Sequence, residues 1–103
     1  MFQHVALLKW SHALSPEELA DVRRALVVLG EESDTVRAFV HGVDAGERPK
    51  NWDYGVLARF DDAAGWRAYS VHPAHDALRA VLAPLVEDQV VVQFELPDGE
   101  HRA

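Results

Sequence analysis

The sequence predicts an α+β fold in which strands and helical regions alternate in the order β-α-β-β-α-β. Three observations predict this order. Short, largely apolar runs mark strands at both ends of the chain, over residues 2–10 and 89–96. Apolar residues at helical spacing follow Pro16 and Pro73, and proline suits the first turn of a helix. β-branched and aromatic residues lie between these two regions, as expected for the second and third strands.

The first predicted strand, residues 2–10, is largely apolar on both faces. Side chains alternate along a strand, so one face carries Phe2, His4, Ala6, Leu8 and Trp10. Both faces therefore need a cover, and the helices of one chain can cover only one of them. We expect the face that carries His4 to be the one left for a second copy.

The first helix is predicted over residues 16–30. Ser15 suits the N-cap, Pro16 suits the first helical position, and Glu18 completes a capping box. The apolar residues at helical spacing are Leu19, Val22, Leu26 and Leu29. Gly30 can end the helix.

The second and third strands are predicted over residues 35–43 and 52–60, joined by a polar loop over 44–51. The second of these strands places Trp52, Tyr54, Val56, Ala58 and Phe60 on one face. The Asp61-Asp62 pair then caps a short helix that ends near Tyr69.

A seven-residue corner, Tyr69-Ser70-Val71-His72-Pro73-Ala74-His75, breaks the second helical region in two. Pro73 begins a new helix, predicted to end near Leu85, with His72 at its cap and His75 on its first turn. A residue before proline is driven out of the helical conformation. We therefore assign His72 and Pro73 a structural role at the site.

This element order is that of the ferredoxin-like fold, a four-stranded antiparallel sheet with helices on one face. The other sheet face is too apolar to be left in water. A second copy of the chain would cover it, and two such sheets packed together form a barrel-like dimer. We therefore expect a homodimeric α/β barrel.

The 103 residues predict one domain over 1–96, followed by a polar tail over 97–103. The 17 acidic residues exceed the 10 lysines and arginines, for a net charge of −7. This charge argues against nucleic acid or an anionic membrane as a partner. The sequence has no cysteine and no apolar run near the roughly 18 residues that span a bilayer, and its N-terminal residues lack the pattern expected of a signal peptide. We expect a cytoplasmic location.

The corner also holds the residues best suited to chemistry. A histidine titrates near neutrality, so His75 can take or give a proton, while Tyr69 can donate to a carbonyl oxygen. The same residues equally suit a structural junction in which His75 bonds backbone groups and Tyr69 packs at the core edge. His72 and His75 have no third ligand at a defined spacing, so no metal site is predicted. The expected acid–base chemistry needs no cofactor.

Three marks suggest a family: the opening strand His4-Val5-Ala6-Leu7-Leu8-Lys9-Trp10, Phe60-Asp61 at the end of the third strand, and the Tyr69-x-x-His72-Pro73-x-His75 corner. With these marks, the chain resembles the stress-responsive dimeric α/β-barrel domain proteins, the Dabb family, from residue 3 to about 95. The resemblance implies a homodimeric ferredoxin-like barrel. Members include plant stress-induced proteins and a plant polyketide cyclase that closes a ring by aldol chemistry.

In that cyclase, the tyrosine and the second histidine of the corner are the catalytic pair, which implies Tyr69 and His75 here. Its pocket also uses a first-strand histidine, matched by His4, and a third-strand histidine, whose place Tyr54 takes in this chain. The expected substrate-binding residues are His4, Ala6, Leu8, Tyr54 and Leu78.

Three functions stay open at this point. The first is a cofactor-free polyketide cyclase or aldol-type lyase that acts on a hydrophobic or carbonyl-containing small molecule. The second is a non-catalytic stress-responsive or ligand-binding protein with the same barrel. The third is a cofactor-independent oxygenase or heme-degrading enzyme. The volume of a cavity beside the corner separates the second from the first, since a drug-sized ligand needs about 300 Å³ or more.

Overall fold

The computed structural model describes residues 1–97. Its elements are β1 (Phe2–Trp10), α1 (Pro16–Glu32), β2 (Ala38–Val43), β3 (Tyr54–Phe60), α2 (Ala63–Ser70), α3 (Pro73–Leu82) and β4 (Val86–Glu95). The predicted ferredoxin-like order, with its second helical region broken in two, is confirmed. Of the predicted tail, residues 98–103 lie outside the described residues. Among those described, no helix is long and apolar enough to cross a membrane.

The four strands form one antiparallel sheet in the order β2-β3-β1-β4. β1 and β3 are central, and β2 and β4 form the edges. The register places His4 opposite Ala58 on one side and opposite Gln93 on the other. Residues paired in this way project from the same face of the sheet. The register therefore determines which side chains can meet above β1.

Each helix begins where the local sequence predicts it. The Ser15 hydroxyl accepts from the Glu18 amide at 3.1 Å, and the Glu18 carboxylate accepts from the Ser15 amide at 2.9 Å, which completes the capping box. Asp62 caps α2 by accepting from the Gly65 amide at 3.0 Å. His72 caps α3, because its Nδ1 accepts from the Ala74 amide at 3.0 Å.

The first helix continues two residues beyond Gly30, where the sequence predicted its end. It ends at Glu32, and the amide of the C-cap residue Ser33 bonds to the Leu29 carbonyl at 3.1 Å. A Cβ atom at position 30 would lie 2.7 Å from Phe39 Cδ2. Gly30 is therefore needed for a close approach of α1 to β2, not for a helix end.

Strand limits also shift from the sequence prediction. β2 begins at Ala38 rather than at 35, and β3 begins at Tyr54 rather than at 52. α3 ends at Leu82, where a turn bonds the Leu85 amide to the Leu82 carbonyl at 2.9 Å. β4 therefore begins at Val86, three residues earlier than predicted.

The core lies between the sheet and the three helices. Its most completely buried large side chains are Tyr54, Tyr69, Phe60, Leu26, Leu29 and Val22. The face of β1 that carries His4 and Leu8 belongs to this core. The expectation that a second copy would cover this face is therefore wrong, since the helices of the same chain cover it. Both faces of β1 are apolar, so alternation alone could not tell them apart.

The opposite sheet face, which we call the open face, is uncovered in the single chain. It carries Val5, Leu7, Val40, Leu57, Val90, Val92 and Phe94. Leu7 on the central strand β1 is 41% exposed and Val40 on the edge strand β2 is 60% exposed, and together with their apolar neighbours they form an exposed apolar patch. A groove of about 600 Å³, open to solvent, runs across this face beside Trp52.

Candidate functional site

A cavity of about 520 Å³ lies between the sheet and the helices. β1 contributes His4, Ala6 and Leu8, and the helices contribute Tyr69, His75 and Leu78. The volume lies within the range of small-molecule sites. Most of the remaining wall is apolar, so the cavity favours a ligand with a hydrophobic body.

Tyr69 and His75 meet at one end of the cavity. Tyr69 lies in the last turn of α2, and the next residues form a turn in which the His72 amide bonds to the Tyr69 carbonyl at 3.2 Å. His72 has an extended backbone, with φ −65° and ψ 142°, and Pro73 then begins α3. The two rings meet edge to face, with centroids 5.0 Å apart and an interplanar angle of 80°.

The His75 ring is held in its neutral form. Burial, followed by the positive charge of Arg79, lowers the pKa of His75 to about 4. Its Nδ1 is buried and has no hydrogen-bond partner within residues 1–97. A buried polar atom without a partner costs about 1–3 kcal/mol of stability.

The Tyr69 phenol is held in its protonated form. Burial raises the pKa of Tyr69 to about 12, and the charge of Arg79 opposes this only in part. The ring is 2% exposed and packs against Phe60 at 5.1 Å and Phe39 at 6.3 Å, both edge to face. Tyr69 is therefore a fixed hydrogen-bond donor at neutral pH.

His4 is the third polar ring at this end of the cavity. Gln93 Nε2 donates to His4 Nδ1 at 2.9 Å, which leaves the proton of the neutral imidazole on Nε2. Burial lowers the pKa of His4. The His4 ring centroid lies 6.0 Å from that of Tyr69 and 5.9 Å from that of Trp66.

The structure brings six of the predicted site residues to this one cavity: His4, Ala6, Leu8, Tyr69, His75 and Leu78. His72 and Pro73 begin α3 beside it, as predicted. Tyr54 does not line the cavity. It is 1% exposed, and its hydroxyl lies 2.7 Å from His41 Nδ1 on the neighbouring strand.

The lining residues that sequence reasoning missed include four with an indole, guanidinium or amide group: Trp66, Arg79, Gln89 and Gln93. Trp66 and Arg79 follow from helical spacing, because they lie three residues before Tyr69 and four after His75. The two glutamines required the register of β4 against β1, which no local pattern gives. Within residues 1–97, no cluster of three histidine or acidic side chains could hold a metal ion.

A four-stranded antiparallel sheet with helices on one face and a cavity between them defines a ferredoxin-like domain of the α/β-barrel type. The chain belongs to the stress-responsive A/B barrel domain (Dabb) family, whose model matches residues 2–96. An uncharacterized protein of Streptomyces coelicolor is 30% identical over 75% of this chain and 81% of its own.

Solved structures show the same fold. A dimeric ferredoxin-like protein of unknown function from Thermobifida fusca is 36% identical, with a TM-score of 0.85 over 92% of this chain and 90% of its own. Two enzymes share the fold at 15% identity. They are the hydroxynitrile lyase of Passiflora edulis (TM-score 0.80, 94% of each chain) and SnoaB, a cofactor-independent oxygenase of Streptomyces nogalater (TM-score 0.74, 98% and 97%).

Proposed function

We propose that this protein is a cofactor-free enzyme that transfers protons on a hydrophobic, carbonyl-containing small molecule, as a polyketide cyclase or aldol-type lyase does. One observation carries the proposal. A protonated phenol, Tyr69, and a neutral imidazole, His75, meet at the end of an apolar cavity large enough for such a ligand.

The two groups have complementary roles in carbon–carbon chemistry next to a carbonyl. His75 accepts the proton from the carbon beside the carbonyl, and the electron pair of the broken C–H bond moves into the enolate. Tyr69 donates a hydrogen bond to the carbonyl oxygen, where negative charge develops. With a pKa of about 4, His75 is a weak base. The hydrogen bond from Tyr69 is therefore essential, because it makes the carbon acid stronger.

The Dabb fold supports the proposal as a scaffold for chemistry without a cofactor. Its structural relatives include a lyase and a cofactor-independent oxygenase. At 15% identity this likeness concerns the fold alone, so the reaction rests on the side chains of this cavity.

The proposal includes a homodimer. The open face is an apolar sheet surface in a chain of net charge −7, and a second open face is the cover that matches it. The Thermobifida fusca relative, at 36% identity, is described as dimeric. Nucleic acid and membranes are not partners in this proposal, and the protein acts in the cytoplasm.

Hydrogen–deuterium exchange tests the proposed chemistry without knowledge of the natural substrate. Acetophenone has a methyl group beside its carbonyl, and proton NMR in D₂O follows loss of that methyl signal. We expect the wild-type protein to accelerate the exchange. His75→Gln and Tyr69→Phe should each reduce the acceleration by about a hundredfold. His12→Gln, which changes an exposed histidine, is the matched control.

A non-catalytic ligand-binding protein is the second candidate, and the low pKa of His75 favours it. In that case methyl 2-naphthoate, an uncharged aromatic carbonyl compound, binds the cavity while the exchange rate equals that of buffer. Equal acceleration by wild type and by His75→Gln would also remove His75 from the proposed chemistry.

A further inference from the structure

Arg79 is the one arginine or lysine among the described residues that line the cavity, and no aspartate or glutamate among them lines it. This is notable in a chain with 17 acidic and 10 basic residues. Arg79 lies four residues after His75 on α3, so both side chains project from the same side of the helix. The cavity therefore has proton-transfer groups at one place and a positive charge one helical turn away.

The guanidinium of Arg79 is held in place by two contacts. Its Nη1 donates to Asp76 Oδ1 at 2.7 Å, and its Nη2 donates to the Ser70 carbonyl at 2.9 Å. Arginine has five N–H donors in a fixed planar arrangement, so donors remain for a ligand. The side chain is 53% exposed, which places it at the mouth of the cavity.

The ion pair with Asp76 leaves Arg79 able to bind an anion. The Asp76 side chain is 70% exposed, and exposed ion pairs of this kind contribute little free energy because water screens them. A ligand oxygen that approaches from the cavity can reach the N–H donors that Asp76 and Ser70 leave free.

From this placement we infer that the cavity takes a monoanionic ligand, a carboxylate on an aromatic or acyl body, with the carboxylate bound to Arg79 at the mouth. This inference rests on the proposed function, since it adds a second anchor to the carbonyl group held at Tyr69 and His75. One cation, partly balanced by Asp76, matches a single negative charge better than a phosphate dianion.

Two probes that differ only in charge test the inference: 2-naphthoate and its methyl ester, each titrated by calorimetry. We expect the wild-type protein to bind the carboxylate more tightly than the ester. Arg79→Gln should weaken binding of 2-naphthoate about tenfold or more and leave the ester within about twofold. Arg79→Lys should retain part of the preference. Leu78→Trp, which fills the cavity, should abolish binding of both probes.

Arg24→Gln is the matched control, because Arg24 forms the same i,i+3 ion pair with Asp21 at 2.8 Å on exposed α1. Equal losses of affinity in Arg24→Gln and Arg79→Gln would overturn the inference, as would a wild-type protein that binds the ester at least as tightly as the acid. Either result leaves the roles of Tyr69 and His75 standing. If neither probe binds the wild-type protein, both the inference and the ligand cavity on which it rests are rejected.

Discussion

The Tyr69 and His75 rings meet edge to face at 5.0 Å although the two residues belong to different helices. In one continuous helix, residues six apart would point in widely different directions, about 120° apart around the axis. The break at His72 and Pro73 removes this restriction. The end of α2 at Ser70 and the new start of α3 at Pro73 therefore allow a phenol and an imidazole to converge.

The pH dependence of the proposed reaction follows from the two shifted pKa values. His75 must be neutral, so the rate falls only as the pH drops through about 4, and Tyr69 must be protonated, so it falls again only near 12. We expect a flat rate for acetophenone exchange from about pH 5.5 to 10, after subtraction of the buffer rate. An acid limb centred near 6.5, the ordinary value for histidine, would contradict this.

Stability should fall in mild acid because His75 is harder to protonate in the folded protein than in the unfolded chain. Between about pH 4 and 6.5 the unfolded chain binds more protons, so the free energy of unfolding decreases as the pH falls through this window. Above pH 6.5 the contribution is constant. Urea denaturation at pH 7.5 and pH 5 measures the decrease, and His75→Gln should make it smaller. A decrease of the same size in His75→Gln and wild type would contradict the prediction.

Tyr54→Phe should reduce stability without changing ligand affinity. The substitution removes the hydroxyl that lies 2.7 Å from His41 Nδ1, which costs about 1 kcal/mol. For a domain of this size we expect Tm to fall by about 4–8 °C. The affinity for methyl 2-naphthoate should stay within twofold of wild type, because Tyr54 does not line the cavity. A large loss of affinity would restore Tyr54 to the substrate-binding residues.

Val92→Lys should dissociate the proposed homodimer. Val92 lies on the open face opposite Val5 and is 57% exposed in the single chain. A lysine there would place a charge inside an apolar interface, which is strongly unfavourable. Light scattering should give twice the chain mass for wild type and the chain mass for the variant. Val27→Lys on α1, 47% exposed, is the control and should remain dimeric.

The helix starts could be predicted from the sequence because capping is local. Ser15 with Glu18, Asp62, and His72 before Pro73 each satisfy backbone amides within three residues. The end of α1 could not be predicted, because Gly30 does not end the helix. Its lack of a side chain makes room for the ring of Phe39 on β2, a contact between a helix and a strand. Local sequence determines where a helix can begin, whereas tertiary packing decides how far it continues.

The site could be predicted only in part, for a similar reason. The corner placed Tyr69 and His75 close together, and alternation placed His4, Ala6 and Leu8 on one face. Gln93 reaches His4 only through the register of β1 and β4. Tyr54 shares the helix-facing side of the sheet but is directed to His41 at the edge strand β2. Which of several residues on one face lines a void depends on how the helices dock.

The ring of Phe39 separates Gly30 from Tyr69: a Cβ at position 30 would lie 2.7 Å from it, and its centroid is 6.3 Å from that of the tyrosine. A bulkier residue at position 30 must displace the Phe39 side chain, and this displacement would in turn shift the neighbouring Tyr69 ring. Directed evolution toward new substrates would therefore gain from randomising position 30. A mutagenesis scan confined to the residues that line the cavity would not include position 30.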